Sequence, residues 1–104
     1  MPRTKGFQTS ILRASHFRKH GHTFGCLTET DYERKATAFF ARIDYRIRSA
    51  RRPRESDIIF YDYQTNEFGV VTKRGFIRTY FKPNTSNHRL PRNLDYYFAE
   101  SIQI

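Results

Sequence analysis

The stretch from residue 57 to residue 82 constrains the fold most, because it contains three strand signals separated by short turns. Its first part, D-I-I-F-Y-D-Y, is rich in residues that favour strands. The predicted strands and turns are, in chain order, 57–63, 64–66, 67–72, 73–75 and 76–82. Turns this short join antiparallel neighbours, so the pattern predicts a meander. Pro83 ends it, since proline cannot donate to a sheet ladder.

A first helix is predicted upstream of the sheet, over residues 10–20. Ser10 or Ser15 is the expected N-cap, and Gly21 is the expected C-terminal stop. Residues 21–28 then form a loop.

The clearest helical pattern covers residues 29–43. Five apolar side chains recur there at the spacing of one helical face: Tyr32, Ala36, Phe39, Phe40 and Ile43. Thr28 is the expected N-cap, and Asp31 stands where the acid of a capping box belongs.

The remaining segments complete the outline of one domain spanning residues 1–104. Residues 1–9 are polar and expected to be flexible. Residues 44–49 favour a short edge strand, and residues 84–92 a polar loop. Asn93 is the expected cap of a final helix at about 94–101. The order of helix, helix, sheet and short helix predicts an α+β fold with N-terminal helices packed on a small antiparallel sheet.

The charge balance points to a polyanionic partner. Nineteen Lys and Arg residues face ten Asp and Glu, which gives a net charge of +9. Nucleic acid, an anionic membrane surface or an acidic protein would each suit this charge. Most of the cations are arginines, whose planar guanidinium favours bidentate phosphate contacts. A basic protein that is merely soluble is the alternative.

Cysteine use and hydropathy narrow the class further. Cys26 is the only cysteine, which excludes a scaffold built on intrachain disulfides. No apolar run approaches the ~20 residues that span a bilayer, and the first ten residues lack the apolar centre of a signal peptide. The sequence predicts action in a cytosol without membrane association, and delivery there by a larger carrier protein stays open.

Two histidines four residues apart are the first candidates for chemistry. In a helix, His16 and His20 share one stripe with Leu12. Histidine exchanges protons near neutral pH, so the pair is suited to general acid–base cleavage of a phosphodiester, with Lys19 as a phosphate contact. The alternative is that one of them is a partly buried helix residue.

The last predicted strand carries the second candidate group. Strict alternation places Arg78, Tyr80 and Lys82 on one face, and Thr79 on the other unless the strand is bulged. Arginine would stabilise the charge that develops on a phosphate under attack, and tyrosine would stack on a base or donate a hydrogen bond. A solvated polar face is the alternative.

Further cations are predicted to hold the nucleic-acid backbone rather than to react. They are Arg46, Arg48, Arg51 and Arg52 in the arginine-rich stretch, and Lys73 and Arg74 at the hairpin tip. Such contacts position a nucleic acid and make its affinity depend on salt. A flexible loop without a partner is the alternative.

A metal site is a weaker interpretation of the same region. His16, His20, His22 and Cys26 lie in one short run, but paired cysteines are lacking. We therefore expect neither a metal nor another cofactor.

Two blocks that together cover about half the chain resemble one family. Residues 15–40 read S-H-F-R-K-H-G-H-T-F-G-C-L-T-E-T-D-Y-E-R-K-A-T-A-F-F, and residues 65–83 read T-N-E-F-G-V-V-T-K-R-G-F-I-R-T-Y-F-K-P. They resemble the C-terminal ribonuclease toxin domains of bacterial contact-dependent inhibition and polymorphic toxin systems. These belong to the superfamily that groups barnase-like, endonuclease-U-like, colicin-like and RelE-like folds.

The resemblance implies a metal-independent endoribonuclease toxin. Members of this class often cleave transfer RNA and are neutralised by an immunity protein, here expected to be acidic. By motif position, His16 and His20 would be the acid and base. Arg78 and Thr79 would lie at the scissile phosphate, supported by Tyr80 and Lys82. The implied place of action is the cytoplasm of a target bacterial cell, and we expect a monomer.

Two segments depart from the family pattern, namely the arginine-rich stretch 44–56 and the tail 84–104. Because loops and tails usually set specificity, the RNA and its cut site stay open. Two other classes of function also stay open. One is a non-catalytic RNA- or DNA-binding module, and the other is an interaction protein, such as a phage inhibitor, that uses its basic face on an acidic partner.

Overall fold

The computed structural model describes residues 4–42, 47–51 and 57–101. Helices α1 (Ser10–His20) and α2 (Glu29–Ala41) come first, with a 3₁₀ turn at Gly21–Phe24 between them. Four strands follow in the described part of the chain, and two helices come after them. The strands are β1 (Ile47–Arg51), β2 (Ile58–Asp62), β3 (Glu67–Val71) and β4 (Ile77–Phe81). The last helices are α3 (Thr85–His88) and α4 (Asn93–Ser101).

The α+β fold predicted from the sequence is confirmed. Within the described residues the four strands form one antiparallel sheet in the order β1-β2-β3-β4. The predicted edge strand exists as β1, displaced towards residue 51, while residues 44–46 lie outside the described part. None of the helices in the described part has the length and apolar character needed to cross a bilayer.

The sheet is covered on both faces, which explains why β3 is buried along its whole length. On one face, α2 and the N-terminal segment pack through a cluster that includes Tyr32, Phe39 and Phe40. On the other face, α4 contributes Tyr97 to a second cluster with Ile59, Tyr61, Phe68 and Val70. Burying such aromatic rings is the main source of stability for a core of this size.

Residues 1–9 were predicted to be flexible, but from Lys5 onward the segment is hydrogen-bonded to the chain next to β4. Residues 1–3 lie outside the described part. Lys5 donates its backbone N–H to Gly75 O, and Ile77 donates to Gly6 O, both at 2.8 Å. Phe7 is buried in the core between the helices and the sheet. The segment therefore covers the first part of the free edge of β4, which would otherwise expose unpaired backbone groups.

Several helix boundaries differ from the predicted ones because other residues make the capping hydrogen bonds. Thr9, not Ser10 or Ser15, caps α1, since its hydroxyl accepts the Leu12 N–H. Gly21 continues into the 3₁₀ turn rather than ending the helix, and the chain reverses at Gly25 with φ of 69°. Thr28 caps α2 as predicted, accepting the Asp31 N–H.

Helix α2 ends at Ala41, whereas the sequence predicted that it would end at residue 43. Arg42 adopts extended backbone, and its guanidinium donates to the carboxylates of Asp62 and Glu67 at 3.1 and 3.0 Å. Burial acts to raise the pKa of Glu67, but hydrogen bonds from Tyr80, Thr65 and Arg42, with the Arg42 charge, outweigh it and lower that pKa. This ionised carboxylate ties the end of α2 to β3.

Two predictions for the C-terminal region are wrong. The predicted polar loop 84–92 contains α3, which Asn84 caps by accepting the Ser86 N–H. Asn93 lies inside α4 and is not its cap, because its Oδ1 pairs with His88 Nε2 at 2.8 Å. The Asp95 carboxylate instead accepts the Arg92 N–H at the start of α4.

A β-bulge in β4 sets the direction of its side chains. Val70 pairs with Thr79 whereas Val71 pairs with Ile77, so Arg78 is the extra residue. The bulge puts Ile77 and Tyr80 in the same core cluster although they are three residues apart. The predicted shared face of Arg78, Tyr80 and Lys82 is therefore wrong.

Gly69 makes the close contact between α2 and the sheet. A Cβ at this position would lie 2.3 Å from Phe40 Cζ. We expect Gly69→Ala to lower the free energy of unfolding by about 1–3 kcal/mol, as overpacking of a core does. Chemical denaturation would measure this loss.

The shorter side chain of Phe40→Leu provides the matched test of the same contact. The double variant Gly69→Ala/Phe40→Leu should lose less free energy of unfolding than the two single variants lose together. The reason is that the shorter leucine relieves the clash with the new Cβ. Strictly additive losses would contradict this role of Gly69.

Candidate active site

An open cleft of about 520 Å³ lies where the C-terminal end of α1 meets the end of β4. Four of its lining residues have titratable or charged side chains: Lys19, His20, His22 and Lys82. Phe81 also lines it, and we call the space lined by these five residues the histidine cleft. Four further polar residues line it: Thr23, Asn66, Asn84 and Asn87. Two imidazoles and two ammonium groups thus share one solvent-filled space.

Local sequence explains how this cleft forms. Thr9 starts α1 so that its last turn carries Arg18, Lys19 and His20, and cations are favourable at the C-terminal end of a helix. At Gly21 a Cβ would lie 2.5 Å from Cδ1 of Phe17, so the chain passes closely there into the 3₁₀ turn. That turn places His22 and Thr23 beside His20 on the cleft wall.

His20 is held by ring stacking at the base of the cleft. Its ring lies on Phe81 with the centroids 5.2 Å apart and an interplanar angle of 26°. Burial lowers the pKa of His20 to about 4, and the charges of His16, Lys19 and His22 act in the same direction. At neutral pH the ring is therefore uncharged and has a nitrogen lone pair that can accept a proton.

His16 is the neighbour of His20, as the predicted helical stripe requires, but it lies behind the cleft. Its ring centroid is 5.4 Å from that of Phe7 and 6.0 Å from that of His20. Burial, with the Lys19 charge, lowers its pKa. Its Nδ1 is buried and makes no hydrogen bond within the described residues. His16 thus supports the position and the neutral state of His20.

Lys82 lies on the opposite side of the cleft from α1 and is positioned by an aromatic stack. Its Nζ is 5.4 Å from the ring centroid of Phe24. Phe24 in turn stacks on Tyr80 with the centroids 4.3 Å apart. Lys82 and Lys19 therefore present two positive charges to whatever occupies the space around His20.

Arg78 is not part of this cleft. Its guanidinium donates to Asp57 at 2.7 Å, and the carboxylate is 1% exposed whereas the Arg78 side chain is 48% exposed. Together with Lys73 and Arg74 it lines a separate groove of about 260 Å³. Phe81, on which His20 stacks, is three positions further along β4 than Arg78, and this corresponds to about 10 Å in a strand. The structure therefore does not bring Arg78 and His20 together, although the sequence predicted this.

Tyr80 is buried in the core and does not reach the cleft. Its hydroxyl donates to Glu67 at 2.5 Å, and its carbonyl accepts the hydroxyl of Tyr32. Burial and the hydrogen bond to Glu67 raise the pKa of Tyr80. The residue is 0% exposed, so we assign it to the support of the site. Thr79, opposite Val70, lines neither the cleft nor the groove.

The other predicted phosphate contacts fall into three groups. Lys73 and Arg74 are exposed at the turn between β3 and β4, in the groove of Arg78. Arg48 and Arg51 lie on the edge strand β1, opposite Tyr61 and Ile58. Arg46 and Arg52 lie outside the described residues.

Five polar residues of the cleft were not among the predicted catalytic and binding residues: His22, Thr23, Asn66, Asn84 and Asn87. The H-G-H run at residues 20–22 was the available signal for His22.

The alternative metal site is not formed in the described part of the chain, where no three His, Cys, Asp or Glu side chains converge as ligands. No protein-family model matches this sequence, and no curated protein matches it.

An NMR titration of the imidazole signals tests the electrostatics of the cleft. We expect His20 to titrate near pH 4, because its ring is partly buried among positive groups. The substitution Lys19→Gln removes one of those charges and keeps a polar side chain, so it should raise the pKa of His20. A matched Lys35→Gln variant changes an exposed charge on α2 and should leave it unchanged. A wild-type value at the ordinary 6.5 would contradict this description of the cleft.

Proposed function

We propose that this chain is a metal-independent endoribonuclease domain of the toxin class, acting at the histidine cleft. The observation that carries the proposal is the uncharged, partly buried His20 beside Lys19 and Lys82 in an open cleft. The net charge of +9 favours a polyanionic substrate, and the two sequence blocks that resemble toxin ribonucleases include all five cleft residues.

In this mechanism His20 is the general base. It takes the proton of a ribose 2′-OH, and the freed oxygen attacks the adjacent phosphorus. As the bond between O2′ and phosphorus forms, the bond between phosphorus and O5′ breaks. His22, exposed on the neighbouring turn, protonates the departing O5′. The products are a 2′,3′-cyclic phosphate and a 5′-OH end.

The two lysines have an electrostatic role in this scheme. Negative charge on the non-bridging oxygens increases as the pentavalent phosphorus forms, and positive groups already in place stabilise it. Lys19 and Lys82 lie beside His20, where that phosphate would sit. The groove of Lys73, Arg74 and Arg78, displaced along β4, then suits a further phosphate of the same strand.

The class of substrate and partner comes from the resemblance. Transfer RNA is the favoured substrate, and an acidic immunity protein is the expected partner, since opposite charge accelerates its capture of a basic domain. The expected place of action is the cytoplasm of a target bacterial cell, reached as part of a larger toxin. Exposed single-stranded loops of such an RNA offer a 2′-OH free to attack.

The direct experiment incubates the purified protein with transfer RNA in EDTA and separates the products on a denaturing gel. We expect discrete fragments with cyclic-phosphate ends. His20→Ala should lower the cleavage rate about 100-fold or more, the typical loss when a general base is removed. Lys82→Ala should also lower the cleavage rate, because this variant lacks a positive charge beside the reacting phosphate.

Two control variants make this experiment specific. Lys35→Ala removes the same charge from an exposed position on α2 and should cleave as the wild type does. His16→Phe keeps an aromatic ring between Phe7 and His20, so it should keep most of the activity if His16 only supports His20. Intact RNA with a correctly folded wild type would contradict the proposal and favour a non-catalytic binding module.

A further inference from the structure

A second pocket continues the histidine cleft beyond Phe81. It has a volume of about 250 Å³ and is lined by Phe81, Asn84, Asn87, His88 and Tyr96, which we call the Tyr96 pocket. Phe81, Asn84 and Asn87 also line the histidine cleft, so one continuous surface runs from His20 to Tyr96. A ligand held in the cleft can therefore reach this pocket by extending past the side chains that the two share.

The aromatic wall of the pocket consists of rings packed against one another. Tyr96 stacks on His88 with the ring centroids 5.0 Å apart and an interplanar angle of 20°. Behind it, Phe68 and Phe81 hold Tyr96 with centroid distances of 5.1 and 6.1 Å. A flat group that stacks here meets a surface already ordered, which reduces the entropy cost of binding.

His88 is a fixed part of this wall rather than a proton carrier. Its Nδ1 accepts the Leu90 N–H at 3.1 Å, so Nδ1 carries no proton in this arrangement. Its Nε2 then donates to Asn93 Oδ1 at 2.8 Å. Both ring nitrogens are engaged, and the imidazole presents its face to Tyr96.

Two amide side chains, Asn84 and Asn87, line both the Tyr96 pocket and the histidine cleft. Asn84 uses its Oδ1 to accept the Ser86 N–H. Asn87 is exposed on α3, and its amide offers both a donor and an acceptor. An aromatic wall beside a group that both donates and accepts is the combination that reads an unstacked nucleobase.

We infer that the Tyr96 pocket is a nucleobase subsite that receives the base of a nucleotide next to the scissile phosphate. The choice of RNA as the source of that base rests on the proposed function. Contact with the aromatic wall of Tyr96 and Phe81 supplies affinity, and the Asn87 amide contacts the edge of the base. Because the pocket admits only a base that has left its stack, it selects single-stranded loops or bulges.

Binding of small ligands tests this subsite without requiring cleavage. The four ribonucleoside 3′-monophosphates are compared with ribose 5-phosphate, which has no base, by NMR titration of the full chain. We expect at least one nucleotide to bind roughly 10-fold or more tighter than ribose phosphate, as base stacking on an aromatic side chain provides. That nucleotide should shift the ring signals of Tyr96 and His88, while ribose phosphate should shift only those of the histidine cleft.

Variants on α3 and α4 then locate the contact. Asn87→Ala should weaken the preferred nucleotide about 3- to 10-fold and weaken ribose phosphate less, because Asn87 borders both the histidine cleft and the Tyr96 pocket. Ser86→Ala, the adjacent exposed position outside the pocket, is the matched control and should change neither. Tyr96→Leu keeps an apolar contact with Phe68 and should remove the base-dependent part of the affinity. The exposed Asn87 variant keeps the test valid if Tyr96→Leu unfolds.

The results separate this inference from the proposed function. Equal affinity for ribose phosphate and all four nucleotides, or unshifted Tyr96 signals, would overturn the subsite even if the protein cleaves RNA. Base-dependent binding lost in Asn87→Ala would support the subsite even if RNA stays intact, an outcome that would overturn only the cleavage.

Discussion

The ring of Tyr80 lies between the helices and the sheet, and most of the site depends on its contacts. It stacks on Phe24 of the 3₁₀ turn and packs against Phe39 of α2. Its hydroxyl donates to Glu67, which also receives the guanidinium of Arg42. One buried side chain thereby connects the 3₁₀ turn, α2, β3 and β4. Since His22 and Thr23 stand on that turn, the wall of the histidine cleft is positioned from the core outward.

The bulge at Arg78 makes this arrangement possible. Without the extra residue, strict alternation would point Tyr80 away from the face that holds Ile77. With the extra residue, Tyr80 enters the core. Phe81 then packs on Phe68, and the ring of His20 stacks on Phe81. The same bulge directs Arg78 to Asp57 and away from the cleft. One inserted residue therefore determines which side chains of β4 enter the core and which line the cleft or the groove.

The elements were predictable because their signals are local. The apolar face of residues 29–43 and the short turns of residues 64–66 and 73–75 act through neighbouring residues, and the α+β order followed from them. The proximity of His16 and His20 was predictable for the same reason. The bulge was not, because a one-residue change in register depends on how both strands pack. The C-terminal wall of the site was also hidden, since Asn87 and Tyr96 meet Phe81 only through tertiary contacts.

We propose that RNA is cleaved at this site by attack of its own 2′-OH, with His20 as the base. The most direct measurement uses an oligoribonucleotide that the protein cuts once, compared with the same strand carrying a single 2′-deoxynucleotide on the 5′ side of the cut. The account predicts a cyclic-phosphate end from the first strand and no cut at that position in the second, because the nucleophile is missing. Equal cleavage of both strands would contradict it, since the attacking oxygen would then come from another source, such as water.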